Sequence, residues 1–405
     1  MSSQAPTSST STGPVQPSRR VSRDRMDASL IDVPAGLAGV VAAETALGDV
    51  RGLEGFYHYR QYSAVELAER TSFEDVWRLM IDGELPTAGR REAFVAEVRA
   101  ARAAPAELIE ALPMIARTTA AADPLAGLRA ALALAAGSYG LQPLYDQDPA
   151  ARRRAAVVVG AITPVLLAAL HRTRSGAPVI PPRADLDHAA NYLWMLTGEE
   201  PDEQRRQAIN AYLISTIDHG FNASTFTARV IASTGADLIA CVLGALGSLS
   251  GPLHGGAPSR ALDTLDAIGS PDRIDGWVRD AIGSGKRMMG FGHPVYRTED
   301  PRSAMLKRIA LGFGGPRVDF AVEVEAAVLR LLAELKPGRA LHTNVEFYAG
   351  VVMEACGIPR PMFTPTFATG RMIGWTAHIL EQAADSKIIR PSSRYVGPPA
   401  PQPLP

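Results

Sequence analysis

An all-helical fold is what this sequence predicts, and three observations carry the prediction. Apolar residues recur at helical spacing in segment after segment. Only one short stretch alternates with the period of a strand. Glycines gather into two clusters that interrupt helical patterns, the kind of break where a backbone can approach a ligand closely. With 405 residues, 46% hydrophobic and 20% charged, the chain can bury a large core and is not disordered as a whole.

The elements follow in order. Residues 1–33 read as a disordered tail: Met1 to Arg25 is rich in Ser, Thr and Pro and lacks the apolar centre of a signal peptide. The period-two stretch is 55–62, where Tyr57, Tyr59 and Arg60 suggest a short hairpin. The clearest helix is 73–82. Ser72 is placed to cap it, with Asp75 as reciprocal partner. Phe73, Val76, Trp77 and Met80 form one apolar stripe, and Gly83 is the stop. The same reasoning predicts helices over 90–103, 124–136, 150–173, 184–197, 203–218, 224–234, 236–249, 259–267, 273–284, 302–312, 321–335, 344–356 and 363–384. Many are apolar nearly all round, as expected of helices buried on every side. The proline-rich end, 398–405, should be loose.

Composition excludes several classes of function. A net charge of -1 argues against a general nucleic-acid binder. The basic residues are 37 Arg and 4 Lys, mostly planar forks that suit carboxylates where one is buried. Two cysteines, Cys241 and Cys356, are too few for a disulfide scaffold or a Cys-built zinc site. The longest apolar stretch, 155–170, falls short of the about 20 residues a membrane span needs. With no targeting signal, the expected location is the cytoplasm.

The glycine clusters carry the first chemical signal. Residues 247–256 (GSLSGPLHGG) and 283–292 (GSGKRMMGFG) each end beside a histidine, His254 and His293. A third histidine, His219, stands between a helix and the cap sequence Asn222-Ala223-Ser224. Three imidazoles in such loops point to acid–base work. His58, His171, His188, His342 and His378 lie in ordinary contexts and read as surface or satisfied core residues. Arg302, Arg371 and Arg390 add a second signal. Arg371 lies within an apolar helix, so it should be partly buried and needs an anionic partner, either an internal carboxylate or a ligand. Glu346 opens a helix of small residues, as a dipole-favoured acid or as a base. There is no phosphate-binding Walker spacing, no His pair at i, i+4 beside a Glu, and no nucleophile elbow. Imidazoles, one carboxylate and arginines suit carbonyl chemistry on a polycarboxylate.

At this point the sequence resembles the citrate synthase family, over about residues 36–397. The supporting stretches are 36–47, 73–87, 219–226, 251–257, 289–302, 344–350, 362–375 and 388–397, in that order. The resemblance implies a two-domain, all-helical fold. Residues 34–256 and 353–397 would build a large domain, and 257–352 a smaller one that closes over the substrates. It also implies a homodimer of the short type, with acetyl-CoA and oxaloacetate as substrates, no cofactor and no metal. The reaction would be condensation followed by hydrolysis of citryl-CoA to citrate and CoA.

Roles carry over by position. His254 would donate to the thioester oxygen, His293 would protonate the oxaloacetate carbonyl, and Glu346 would be the base. His219, Arg302, Arg371 and Arg390 would bind oxaloacetate, with Arg390 reaching the partner subunit's site. Ser224, with Asn222 beside it, would orient His254. Met289, Gly290, Phe291 and Gly292 would meet CoA, with Lys286 and Arg297 as phosphate contacts. Three residues depart from the family pattern: Glu346 stands for an Asp, Gly220 for an acid, and Gln61 for a Gly. The motifs fit 2-methylcitrate synthase with propionyl-CoA as well, and Glu346 leaves open a weakly active regulatory relative.

Overall fold

The computed structural model describes residues 30–404 apart from 122, 255–257, 287, 294, 337, 339, 340 and 386, with the backbone alone for 258–260. Residues 1–29 of the tail expected over 1–33, and Gly255 and Gly256 of the first glycine cluster, fall outside the described residues.

Sixteen α-helices stand among the described residues, as the apolar spacing predicts. They are α1 (Ala64–Arg70), α2 (Phe73–Asp82), α3 (Ala88–Ala101), α4 (Ala106–Thr118), α5 (Pro124–Ser138), α6 (Pro149–Arg174), α7 (His188–Thr197) and α8 (Glu203–Ser215). After these come α9 (Ala223–Ala232), α10 (Leu238–Leu249), α11 (Pro258–Ile268), α12 (Ile274–Gly283), α13 (Pro301–Phe313), α14 (Pro316–Leu335), α15 (Val345–Ala355) and α16 (Phe363–Ala383). The sequence reading misses α1 and α4. The first is short and starts directly at the sheet, capped by the Ser63 side chain; the second carries Pro113 inside it, a residue that argues against a helix interior.

The expected hairpin is larger than a hairpin. Strands β1 (Gly48–Arg51), β2 (Phe56–Tyr59) and β3 (Tyr62–Ser63) form an antiparallel sheet in sequential order, with Gly48 opposite Tyr59 and Val50 opposite Tyr57. Alternation puts Tyr57 and Tyr59 inward, each buried. Arg60 turns β2 into β3 at a φ of 50°. Its guanidinium donates to the Met80 carbonyl at 2.8 Å, which holds this uncommon conformation.

Two units divide the chain. The first takes residues up to Glu44 together with those from Arg390 onward. Among its described residues it contains one 3-10 turn, Ala35–Leu37, and an ion pair of Arg394 with Asp32 at 2.7 Å. The second, Thr45–Ile389, holds every α-helix, the sheet and the core.

Within that second unit, α2 is built as predicted in part. Ser72 Oγ accepts the Asp75 amide at 3.2 Å, and Gly83 ends the helix in the left-handed region at φ 90°. The Asp75 carboxylate, expected to close a capping box, instead accepts from Arg91 Nε at 2.7 Å. Helix α6 overturns the length argument: its 26 residues are long and apolar enough to cross a membrane, although 83% of the apolar window is buried inside the protein. It is a core helix, flanked by α4, α5, α7 and α16. Cys241 and Cys356 are free and buried.

Two glycines decide where α16 lies. A Cβ on Gly374 would stand 2.0 Å from the Ile217 carbonyl oxygen, and one on Gly370 would stand 2.7 Å from that of Leu213. Each costs the helix about 1 kcal/mol relative to alanine. In exchange the helix rests directly on residues 213–217, with Arg371 between the two glycines.

Candidate active site

The irregular segment after α8 is pinned from the sheet. Tyr57 donates to the Ser215 carbonyl at 3.2 Å, and Tyr59 donates to that of Ile214 at 2.8 Å. This fixes His219 at the mouth of the turn. Gly220 follows at φ 64°, a backbone that disfavours the acid the resemblance leads one to expect there. His219 Nε2 lies 3.0 Å from the Tyr296 hydroxyl, and its ring meets His293 edge-on at 5.4 Å. Burial first, then Arg302, His293 and Arg371, hold its pKa well below the ordinary value, so it is a neutral imidazole.

Asn222 caps α9 through Oδ1, which accepts the Thr225 amide at 3.1 Å and lies 2.7 Å from Ser224 Oγ. Ser224 in turn holds His254. Its hydroxyl lies 2.8 Å from His254 Nε2, and its amide donates to the same nitrogen at 3.3 Å. Trp375 Nε1 donates to the Ser224 hydroxyl at 3.1 Å. An amide can only donate, so this contact makes Nε2 an acceptor and leaves the ring proton on Nδ1. Burial and Arg371 push the His254 pKa down.

His293 is oriented from the backbone. The Val295 and Tyr296 amides donate to its Nδ1 at 3.0 and 3.1 Å, so the ring proton sits on Nε2. Burial, and then Arg302 beside it, lower its pKa to about 4. Arg302 Nη2 stands 3.3 Å from that Nε2. Because Nε2 carries the proton, this approach is donor against donor and keeps a second proton off the ring.

Arg302 is buried and already paired. Nε and Nη2 donate to Asp300 Oδ1 and Oδ2 at 3.0 and 2.9 Å, while Nη1 makes no such bond. Arg371 differs. It is 2% exposed, its Nε donates to the Thr216 carbonyl at 2.8 Å, and it covers the Phe367 ring at 4.6 Å. Among the described residues it has no carboxylate within ion-pair distance. Asp218, whose charge acts on it, bonds to His378 at 3.2 Å. The internal salt bridge that the sequence left open is therefore not formed, and the guanidinium is buried more fully than expected.

Glu346 stands in the first turn of α15. Asn344 caps that helix, its Oδ1 accepting the Glu346 amide at 3.0 Å and its Nδ2 donating to Gly292 O at 2.9 Å. The Glu346 helix and the His293 loop thus share one anchor.

His219, His254, His293, Arg302, Glu346 and Arg371 converge on one cavity of about 570 Å³, with Asn222 and Gly292 also on its wall. Ser224 lies behind it. Met289, Gly290 and Phe291 stand next to the wall rather than on it, and Phe291 packs on Phe347 at 5.2 Å. Lys286 and Arg297 are exposed and off the wall, and Arg390 is an exposed residue of the first unit. Sequence reasoning misses Tyr296, Asp300, Asn344 and Tyr212. The first three sit inside motifs already singled out, beside the residues they hold. Tyr212 is an aromatic in the last turn of a buried helix, with no signal to separate it from core. Among the histidines read as ordinary, His378 is a satisfied core residue. His188 is buried against Phe73 at 4.8 Å, yet among the described residues both its ring nitrogens lack hydrogen-bond partners, contrary to that reading. No group of three potential metal ligands stands among the described residues.

The comparisons with known proteins agree with this geometry. The family model "Citrate synthase, C-terminal domain" matches residues 36–392. Citrate synthase of Synechocystis sp. is 38% identical over 363 residues, 89% of this chain and 90% of that one. 2-Methylcitrate synthase of Mycobacterium tuberculosis is 36% identical over 392 residues, 95% of this chain and 97% of that one. A solved ternary complex of carboxymethyl coenzyme A and oxaloacetate with citrate synthase from Thermoplasma acidophilum superposes at a TM-score of 0.84, with 28% identity, covering 92% of this chain and 98% of that one. The chain belongs to the citrate synthase family. It is an enzyme of that family, an acyltransferase with the all-helical fold its sequence predicts.

Proposed function

We propose that the cavity joins acetyl-CoA to oxaloacetate and then hydrolyses citryl-CoA to citrate and CoA. The observation that carries the reading is Arg371: a buried guanidinium with no carboxylate of its own, facing a cavity that three neutral imidazoles and one carboxylate share. Such a cation calls for an anion from outside.

Each residue then has a task. Glu346 takes a proton from the thioester methyl. His254 donates through Nδ1 to the thioester oxygen as charge develops, a contribution typically of a few kcal/mol per donor. The enolate carbon attacks the oxaloacetate carbonyl, whose oxygen takes the Nε2 proton of His293. Neutral donors suit both steps, because a full charge would favour the ground state as well. Water then cleaves the citryl thioester, releasing CoA. His219, Arg302 and Arg371 hold oxaloacetate. Met289, Gly290, Phe291 and Gly292 meet CoA, with Lys286 and Arg297 on its phosphates. Residues 257–352 close over the bound pair and exclude water from the enolate. No cofactor beyond the substrates takes part.

Charge supports a dimer. Asp300 neutralises Arg302, so among the described residues lining the cavity Arg371 is the guanidinium without a carboxylate partner, against the two negative charges of oxaloacetate. Arg390 from a second copy supplies the other. The cell compartment proposed is the cytoplasm. The test is free-thiol release from acetyl-CoA in the presence of oxaloacetate, with propionyl-CoA in parallel. The Mycobacterium tuberculosis relative favours 2-methylcitrate synthesis as a second reading, and faster release from propionyl-CoA would establish it.

A further inference from the structure

Tyr212 lies in the last turn of α8 and lines the cavity with Glu346, Arg302 and Arg371. The residue is 1% exposed, and its hydroxyl is buried without a hydrogen-bond partner among the described residues, so a ligand oxygen reaches it only when the side chains between it and the cavity move aside. Buried hydroxyls are nearly always paired, and one left unpaired destabilises the fold. Burial, reinforced by Tyr192 and Glu346, pushes its ionisation well up, so the oxygen keeps its proton at neutral pH. What the group lacks is an acceptor. The two arginines cannot provide one, because a guanidinium only donates. A carboxylate drawn in by those arginines can.

We infer that the Tyr212 hydroxyl is a further binding group for the dicarboxylate substrate, donating its proton to a carboxylate oxygen held by Arg302 and Arg371. The inference rests on the oxaloacetate reading of the cavity. It explains why a hydroxyl without a partner is kept between Ala211 and Leu213, both buried.

Tyr212→Phe removes the oxygen and keeps the ring. Calorimetric titration with oxaloacetate alone, without CoA, should show affinity about tenfold to a hundredfold weaker than wild type, the range for a hydrogen bond to a charged group. The KM for acetyl-CoA and the kcat at saturating oxaloacetate should change less than about threefold. The unliganded variant should melt at or above the wild-type temperature, since an unpaired hydroxyl is gone, and should gain less from added oxaloacetate. Unchanged oxaloacetate affinity overturns the assignment. So does a fall in kcat with affinity kept, which would mean that the hydroxyl serves Glu346. A lower melting temperature without ligand would also overturn it, by showing that the hydroxyl has a structural partner. If wild type itself fails to bind oxaloacetate, the reading of the cavity falls and takes this inference with it.

Discussion

Asp300 grips Arg302 through two parallel hydrogen bonds, at 3.0 and 2.9 Å, and the same carboxylate accepts the Val345 amide at 3.1 Å. One buried acid therefore fixes a cavity arginine and the start of the helix that carries Glu346. Asp300→Asn keeps the shape and removes the charge. It leaves Arg302 buried without compensation, a loss of the order of 3–5 kcal/mol for a broken buried pair. We expect a lower Tm, and in the surviving protein a raised KM for oxaloacetate. A variant with wild-type Tm would mean that the pair contributes nothing net.

Arg371 has no such acid. Replacing it with Ala should therefore cost binding more than folding. We expect the KM for oxaloacetate to rise by about a hundredfold, as for loss of a charge-assisted contact, with acetyl-CoA binding in the absence of oxaloacetate little changed. The check is a pair of saturation curves with a thermal melt. Equal rises in both KM values would make Arg371 a structural residue.

Much of this was legible in the sequence, and the exceptions have physical causes. Most helices announce themselves because their stripes and caps are local, as at Ser72 and Asn222. The sheet is partly hidden because β3 is two residues long and its turn uses a non-glycine residue, Arg60, at positive φ. The three cavity histidines stand out because each lies in a loop that breaks a helix. Asp300 does not, because an acid before Pro301 reads as an ordinary cap, which it also is. Arg371 was legible as buried, but its lack of an acid depends on Asp218 being engaged elsewhere, a tertiary fact.

The three imidazoles set the pH response. His219, His254 and His293 all titrate below the ordinary 6.5, His293 at about 4. Their neutral forms persist well into mild acid, so kcat/KM should stay near its plateau below pH 6.5 rather than halve there. Stability has the opposite sensitivity. The unfolded chain takes up protons first, near 6.5, so folding is fully stable above that value and loses stability as pH falls from 6.5 towards 4. Profiles of kcat/KM and Tm against pH test both statements. An acid limb in kcat/KM at 6.5 with Tm unchanged would mean that one of these rings is an ordinary imidazole.

The proposed sharing of a site between subunits makes a different demand. Arg390→Ala and His254→Ala should each abolish turnover alone. Subunits of the two variants, mixed and allowed to exchange, should recover activity, because one site in each heterodimer is intact. Size-exclusion chromatography must show a dimer for the experiment to have meaning. Exchange without recovery would place Arg390 in its own subunit's site or outside any site.

In the proposed reaction Glu346 is the residue on which the chemistry turns. It sits on the cavity wall, one methylene longer than the Asp of the family pattern, on a helix anchored to the His293 loop through Asn344. Two further acids nearby have other tasks: Asp300 pairs with Arg302 and Asp218 with His378. Glu346→Gln retains the shape and removes the base. We expect kcat to fall by about a hundredfold or more, the usual scale for a positioned base, with oxaloacetate affinity kept. Glu346→Asp is the finer test. A displacement of about 1 Å at a reacting group can cost about a hundredfold. If the backbone at Asn344 and Val345 is set for the longer side chain, Asp falls short of the methyl proton and kcat drops. If the backbone still fits the shorter acid, Asp is the faster enzyme. The anchored helix start favours the first outcome, because Asn344 and Asp300 leave little freedom to bring a shorter carboxylate forward. Turnover of Glu346→Gln near the wild-type value would remove Glu346 from the reaction altogether.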